Sequence, residues 1–150
     1  MGATEHRIRN RLVTAVGSAL VDLLANEDDS FLERVDAAKG GMKLVDETFI
    51  TTVVSQLTGR TIMVPGGSAC NTVVGIGQLG GAARFVGKRG EDALGDLLEE
   101  GLIKSGVQPR LFRSSSPTGR VLSIITPDAQ RSMFTFLGAA SELNPEEITS

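Results

Sequence analysis

Two hydrophobic periods take turns along the chain, one of two residues in short β-branched runs and one of three to four in longer stretches. Arg11 to Val16 reads as a strand, with Leu20 to Leu24 as its extension or as a second short strand. Glu27-Asp28-Asp29-Ser30 leads into Phe31, Leu32 and Val35 at helical spacing, and Lys39-Gly40-Gly41 stops that helix. Met42 to Val45 is the next short strand. Asp46-Glu47 then opens an amphipathic helix through Ile50, Val53, Val54 and Leu57. Thr61 to Val64 is a β-branched strand, and a helix beginning near Ser68 or Asn71 runs to Leu79. Ala83 to Val86 reads as a strand, and Ala93 to Ser105 as a helix stopped by Gly106.

From Gln108 onward the pattern changes. Arg120 to Ile125 and Ser132 to Leu137 are β-branched and aromatic runs joined by Thr126-Pro127-Asp128-Ala129-Gln130-Arg131, and the Pro-Asp pair makes this a β-hairpin. Asn144-Pro145-Glu146-Glu147 opens a further helix. Alternating strands and helices followed by a hairpin predict an α/β protein, a Rossmann-like parallel sheet with an added antiparallel flap.

Composition narrows the function classes. With 150 residues and 41% hydrophobic content the chain can bury a single-domain core. A net charge of −3 and the lack of a long Lys/Arg run give no footprint for nucleic acid or anionic membrane, so neither partner is expected. No apolar run approaches the roughly 20 residues of a bilayer span, and Met1 to Asn10 has no signal-peptide core, so the cytoplasm is the expected compartment. One cysteine, Cys70, and one histidine, His6, exclude an internal disulfide and a Cys/His metal cluster. Cys70 reads as a small buried residue, and Glu27-Asp28-Asp29 as a solvated helix-start run.

The candidate chemistry is concentrated between Val64 and Gly95. Gly66 and Gly67 permit positive φ and close approach of backbone to a ligand, and the helix after them presents unpaired N–H groups and a positive dipole end. Gly75-x-Gly77-x-x-Gly80 has the dinucleotide spacing but falls within and at the end of a predicted helix, where Gly80-Gly81 is a cap. Gly87-Lys88 lacks the spacing and the Ser/Thr of a phosphate loop.

Gly66-Gly67-Ser68, Asn71, Gly80, Phe85-Val86-Gly87-Lys88 and Gly90-x-Asp92-x-x-Gly95 together closely resemble the first signature of the ribokinase-like (PfkB) family of carbohydrate and nucleoside kinases. Val16 to Asp22 resembles the family's first strand with its substrate-binding Asp, and Thr126 to Met133 a hairpin of the adenosine-kinase branch. The resemblance runs from about Leu12 to Ile148. It implies a Rossmann-like layer with a small β-lid drawn from about residues 12–24, 42–46, 61–65 and the 118–137 hairpin. It also implies ATP-dependent phosphorylation of a primary hydroxyl on a sugar or purine nucleoside.

The family's second signature, a Gly-Ala-Gly-Asp loop, is not found in these residues. The chain therefore resembles an amino-terminal half, and residues 1–150 are expected to hold the acceptor. The catalytic Asp and most of the ATP and Mg²⁺ site are expected in the missing half, leaving this chain inactive alone. By resemblance, Asp22, Gly66, Gly67, Ser68 and Asn71 hold sugar hydroxyls, and Leu20, Met42, Leu44, Leu137 and Ala139 make apolar pocket contacts. Arg131 contacts the transferring phosphoryl, and no protein ligand to a metal is expected. On the residues alone, Asn71 and Asp22 read equally as caps, Arg131 as a solvated hairpin residue, and the apolar five as core. Asp92 and Lys88 are expected to organise their turn. A stand-alone sugar- or nucleoside-binding or regulatory domain is the alternative, and its unpaired sheet edge would lead it to dimerise, swap or cover that edge. Ribokinase or fructokinase activity is the alternative within the family.

Overall fold

The computed structural model describes residues 11–149; His6 and the Met1–Asn10 stretch lie outside them. Two sheets form. The first is parallel, with β1 (Val13–Val16), β5 (Ala83–Gly90) and β6 (Val107–Ser114) in the order β1-β5-β6. The second is mixed, with β2 (Leu20–Asn26), β3 (Met42–Leu44), β4 (Ile62–Gly66), β7 (Gly119–Ile125) and β8 (Arg131–Phe136) in the order β3-β8-β7-β2-β4. The architecture is mixed α/β with a parallel layer and an added sheet, as the alternation predicts.

Helices α1 (Asp29–Arg34) and α2 (Glu47–Ser55) cover the five-stranded sheet, while α3 (Ser68–Gln78) and α4 (Ala93–Lys104) belong to the parallel layer. Three helices start on an aspartate: Asp28, Asp46 and Asp92 accept from the N–H of Phe31, Phe49 and Gly95 at 2.9, 2.7 and 2.8 Å. Helix α3 ends in a Schellman cap, with Gly80 at φ 81° and Gly81 N–H donating to Ile76 O at 2.9 Å. The dinucleotide-like glycines therefore sit inside a helix and its cap. A 3-10 helix (Gly138–Glu142) and α5 (Pro145–Thr149) complete the described chain.

Several segments differ from the sequence reading. Residues 13–16 pair with β5 in the parallel sheet and not with the lid strands, because the chain turns at Gly17-Ser18-Ala19 before β2 starts. β6 is a full strand that Pro109 obscured; it is an edge strand, where a missing N–H is tolerated. Helix α1 stops at Arg34, short of Lys39-Gly40-Gly41, and Asp36 turns the chain at φ 50°. Glu27 is not solvated: it is 8% exposed and its carboxylate accepts from Thr58 N–H and Oγ1 at 2.7 and 2.9 Å.

Strand alternation decides what each sheet buries. Leu23 and Ala25 of β2, Leu122 and Ile124 of β7 and Phe134 of β8 pack under α1 and α2 with Phe31, Leu32, Ile50 and Val53. Val21, one step earlier on the same face, joins the second core with Cys70, Val73, Phe85, Leu98 and Leu102. The intervening residues of β2, β7 and β8 face the other way.

Candidate acceptor-binding site

Those intervening residues meet the start of α3 around a cavity of about 550 Å³. Leu20 and Asp22 come from β2, Val121 and Ser123 from β7, and Arg131, Met133 and Thr135 from β8, with Met42 on β3. The parallel layer contributes Gly17 and Ser18 after β1, then Gly67, Ser68, Ala69 and Asn71 at the start of α3. Register aligns the wall in rows: Asp22 lies beside Val121 and Val121 beside Thr135, while Ser123 lies beside Met133 and Met133 beside Met42.

Gly67 is required twice over. Its φ of 97° is left-handed, and a Cβ there would stand 2.7 Å from Ser18 O. A Cβ on Gly66 would overlap the Asp22 carboxylate, so the glycine pair makes room for the acid. No side chain caps α3; Gly67 O accepts from Asn71 N–H at 2.8 Å, leaving the first N–H groups of the helix at the cavity. An acceptor's oxygen lone pairs suit that positive end.

Asp22 carries the negative charge of the site. Burial pushes its carboxyl above the ordinary value, and the positive charge of Arg131 acts against that rise. A half-buried carboxylate with no protein hydrogen-bond donor among the described residues can accept from two neighbouring hydroxyls. Cys70 lies behind it, fully buried; burial and the Asp22 charge push its thiol up to about 12, which leaves it unreactive.

Seven of the sequence-derived site residues line the cavity: Leu20, Asp22, Met42, Gly67, Ser68, Asn71 and Arg131. Gly66 stands behind Asp22. Leu44, Leu137 and Ala139 do not line the cavity: Leu44 is 64% exposed on the outer strand, Leu137 lies beyond the end of β8, and Ala139 is buried in the 3-10 helix with its N–H on Pro117 O. The sequence reading missed Gly17, Ser18, Ala69, Val121, Ser123, Met133 and Thr135. Stepping by two from Arg131 along its strand would have found Met133 and Thr135.

The turn after β5 is organised by one of its two expected residues. Asp92 accepts from Thr118 N–H and Oγ1 at 2.8 and 2.6 Å as well as capping α4, which ties β7's entry to the parallel layer. Burial raises its carboxyl, but the Thr118 and Gly95 hydrogen bonds and the Arg89 charge outweigh this and hold it low. Lys88 instead reaches Glu147 at 2.7 Å and Glu142 O at 3.2 Å. Among the described residues no cluster of three His, Cys, Asp or Glu side chains could hold a metal, and no helix is long and apolar enough to cross a membrane.

A parallel α/β layer joined to a β-sheet over a carboxylate-bearing cavity defines a small-molecule kinase fold of the ribokinase type. Residues 10–149 match the profile of the pfkB family carbohydrate kinases, and the chain belongs to that family. It is similar to the structure of adenosine kinase from Sinorhizobium meliloti, at 37% identity and TM-score 0.81 over 93% of this chain and 42% of that one. A probable sugar kinase from Rhizobium etli CFN 42 is similar at 35% identity and TM-score 0.82, again over 93% and 42%. Fructokinase from Escherichia coli is 32% identical over 90 residues, 59% of this chain and 29% of that protein. The chain thus spans less than half the length of each of these relatives.

Proposed function

We propose that this chain is the acceptor-binding part of an ATP-dependent kinase that phosphorylates a primary hydroxyl of a sugar or a purine nucleoside. The observation that carries the reading is the convergence of Asp22, from the five-stranded sheet, with the uncapped start of α3, from the parallel layer, on one cavity. Asp22 accepts two acceptor hydroxyls, while Asn71 and the Gly67-Ser68 backbone donate to others. The five-stranded sheet excludes water and fixes the reacting hydroxyl, so the contribution of this part is positioning. Arg131 supplies positive charge where a phosphoryl group would arrive.

The family implies ATP and a divalent metal; among the described residues no group of three His, Cys, Asp or Glu side chains is placed to hold a metal, and the Gly-Ala-Gly-Asp loop expected to hold ATP is not in this sequence. The chain alone is expected to bind an acceptor and to transfer no phosphoryl group. Calorimetry with ribose, fructose and adenosine, run beside an ATP-consumption assay, tests both halves of that statement. Binding lost in Asp22→Asn supports the reading; turnover by the pure chain, abolished by the same change, overturns the inactivity.

Fructose is the rival acceptor within the family, supported by the fructokinases among the curated relatives. A non-catalytic binding module is the rival outside it, supported by the exposed Leu12, Val13 and Val16 on and beside edge strand β1, which a stand-alone protein must cover. A stable dimer in sedimentation, with ligand binding, would favour the module.

A further inference from the structure

Among the described residues the chain crosses four times between the five-stranded wall of the cavity and the parallel scaffold. The first two crossings, at Gly17 and at Gly66–Gly67, turn on glycine: a Cβ on Gly17 would stand 2.8 Å from Ala69 Cβ, and Gly67 has its φ of 97°. The third runs from Ser114 of β6 to Gly119 of β7, and the fourth leaves β8 for the 3-10 helix. These two are bonded to each other, since Ala139 N–H donates to Pro117 O at 2.8 Å.

Side chains grip the third crossing at both ends. Thr118 is fully buried; its N–H and hydroxyl donate to the two carboxylate oxygens of Asp92 at 2.8 and 2.6 Å, and the same hydroxyl accepts from Gly90 N–H at 3.0 Å. At the other end the Ser114 and Ser116 hydroxyls donate to the two oxygens of Glu142, whose backbone O accepts from Lys88 of β5 at 3.2 Å. A valine would fill the space of Thr118, but it would leave Asp92 and Gly90 N–H each one buried bond short.

The grip reaches the cavity through Gly119. This residue pairs with Leu20, and a Cβ on it would overlap Leu137 O and stand 2.5 Å from Leu20 Cδ2. Two residues on, Val121 pairs with Asp22. Leu20, Asp22 and Val121 all line the cavity, whereas Thr118 does not. Because packed layers transmit displacement, a shift of Thr118 against Asp92 moves these three together relative to Gly67 and Asn71.

We infer that Thr118 is a positioning residue for the acceptor: locked between Asp92 and Gly90, it sets where the Leu20, Asp22 and Val121 part of the wall stands over the start of α3. The inference rests on the acceptor-site reading above.

The test compares Thr118→Val with Thr118→Ser in the 150-residue chain, at a temperature where circular dichroism shows each variant folded. Residual dipolar couplings of the ligand-free chain report the orientation of the wall relative to the scaffold, and calorimetry with ribose, fructose and adenosine reports acceptor affinity. Thr118→Val should rotate the wall and weaken by about tenfold whichever of the three binds the native chain. Thr118→Ser, which keeps the hydroxyl, should retain both orientation and affinity. If Thr118→Val does not fold, the same two readouts on Asp92→Asn decide, with the same rotation and loss expected. Native orientation or native affinity in the folded hydroxyl-deleting variant overturns the inference and leaves the acceptor site standing, as does an equal loss in Thr118→Ser. Failure of all three ligands to bind the native chain overturns the acceptor-site reading and the inference with it.

Discussion

The two sheets of this chain use the same alternating backbone for opposite purposes. In the three-stranded sheet, β5 is buried along almost its whole length, with Ala83, Phe85, Val86 and Arg89 all 5% exposed or less. That is the pattern of a central parallel strand covered on both faces. In the five-stranded sheet, β2, β7 and β8 bury one face under α1 and α2 and leave the other to the cavity. Even the charges differ in role. Arg89 is enclosed and bonded to Glu99 through Nε and Nη2 at 3.0 and 2.6 Å and to Asp96 at 2.8 Å, which pins α4. Asp22 has no such partner among the described residues. The scaffold pairs its buried charge within the protein, and the wall turns Asp22 to the cavity.

Removing a core ring should break each sheet most severely. Phe85→Ala in the scaffold and Phe134→Ala in the wall are each expected to cost about 3–5 kcal/mol in urea denaturation. A cost below about 1 kcal/mol for Phe134→Ala would mean that the wall is not a packed layer.

Asp22→Asn separates the two roles more sharply. Acceptor affinity should fall about 100-fold or more, because two hydrogen bonds to a charged group are lost. Stability should rise at pH 7. The sign follows from burial: a carboxyl raised in the fold favours its protonated form, so its contribution to stability is fully present below the unfolded value of 3.8 and is lost as pH rises through the folded value. The variant's advantage should accordingly shrink as melting is followed from pH 7 to below pH 4.

The glycine pair gives opposite outcomes one residue apart. Gly67→Ala meets backbone at Ser18 and needs a left-handed φ, so it should cost about 1–3 kcal/mol. Gly66→Ala meets the Asp22 side chain, which can turn aside where the Ser18 backbone cannot, so it should weaken the acceptor more than it lowers the melting temperature. Equal destabilisation by both would contradict the placement of Asp22 against Gly66.

The smallest effect is expected at the exposed hairpin tip, where Lys39 bridges Asp29 and Asp128 at 2.7 Å each. The bonds from Lys39 and Thr126 hold the Asp128 carboxyl at about 2. In Lys39→Ala an NMR titration should show it return towards 3.8, with little change in melting, since exposed ion pairs contribute little.

Local periodicity made most elements legible, because strands such as Arg120 to Ile125 and helices such as Ala93 to Ser105 carry their own signal. Pairing was not legible. That residues 13–16 join β5 while 20–26 join β4 and β7 depends on contacts between distant segments, and no local pattern records them. The glycine pair, Asp22, Asn71 and Arg131 stood out because their types are unusual at those places. Ser123 and Thr135 looked like ordinary strand residues, and the pairing of β7 with β8 is what shows which face carries them to the cavity. Leu137 and Ala139 continued the alternation on paper, but Gly138 at φ 47° breaks it.

The most direct test of the central claim is an amide NMR titration of the chain with adenosine. The account predicts that Gly67, Ser68 and Asn71 in the scaffold shift together with Asp22, Ser123 and Thr135 in the wall, saturating on one curve. Shifts confined to one sheet, or centred away from this cavity, would contradict it.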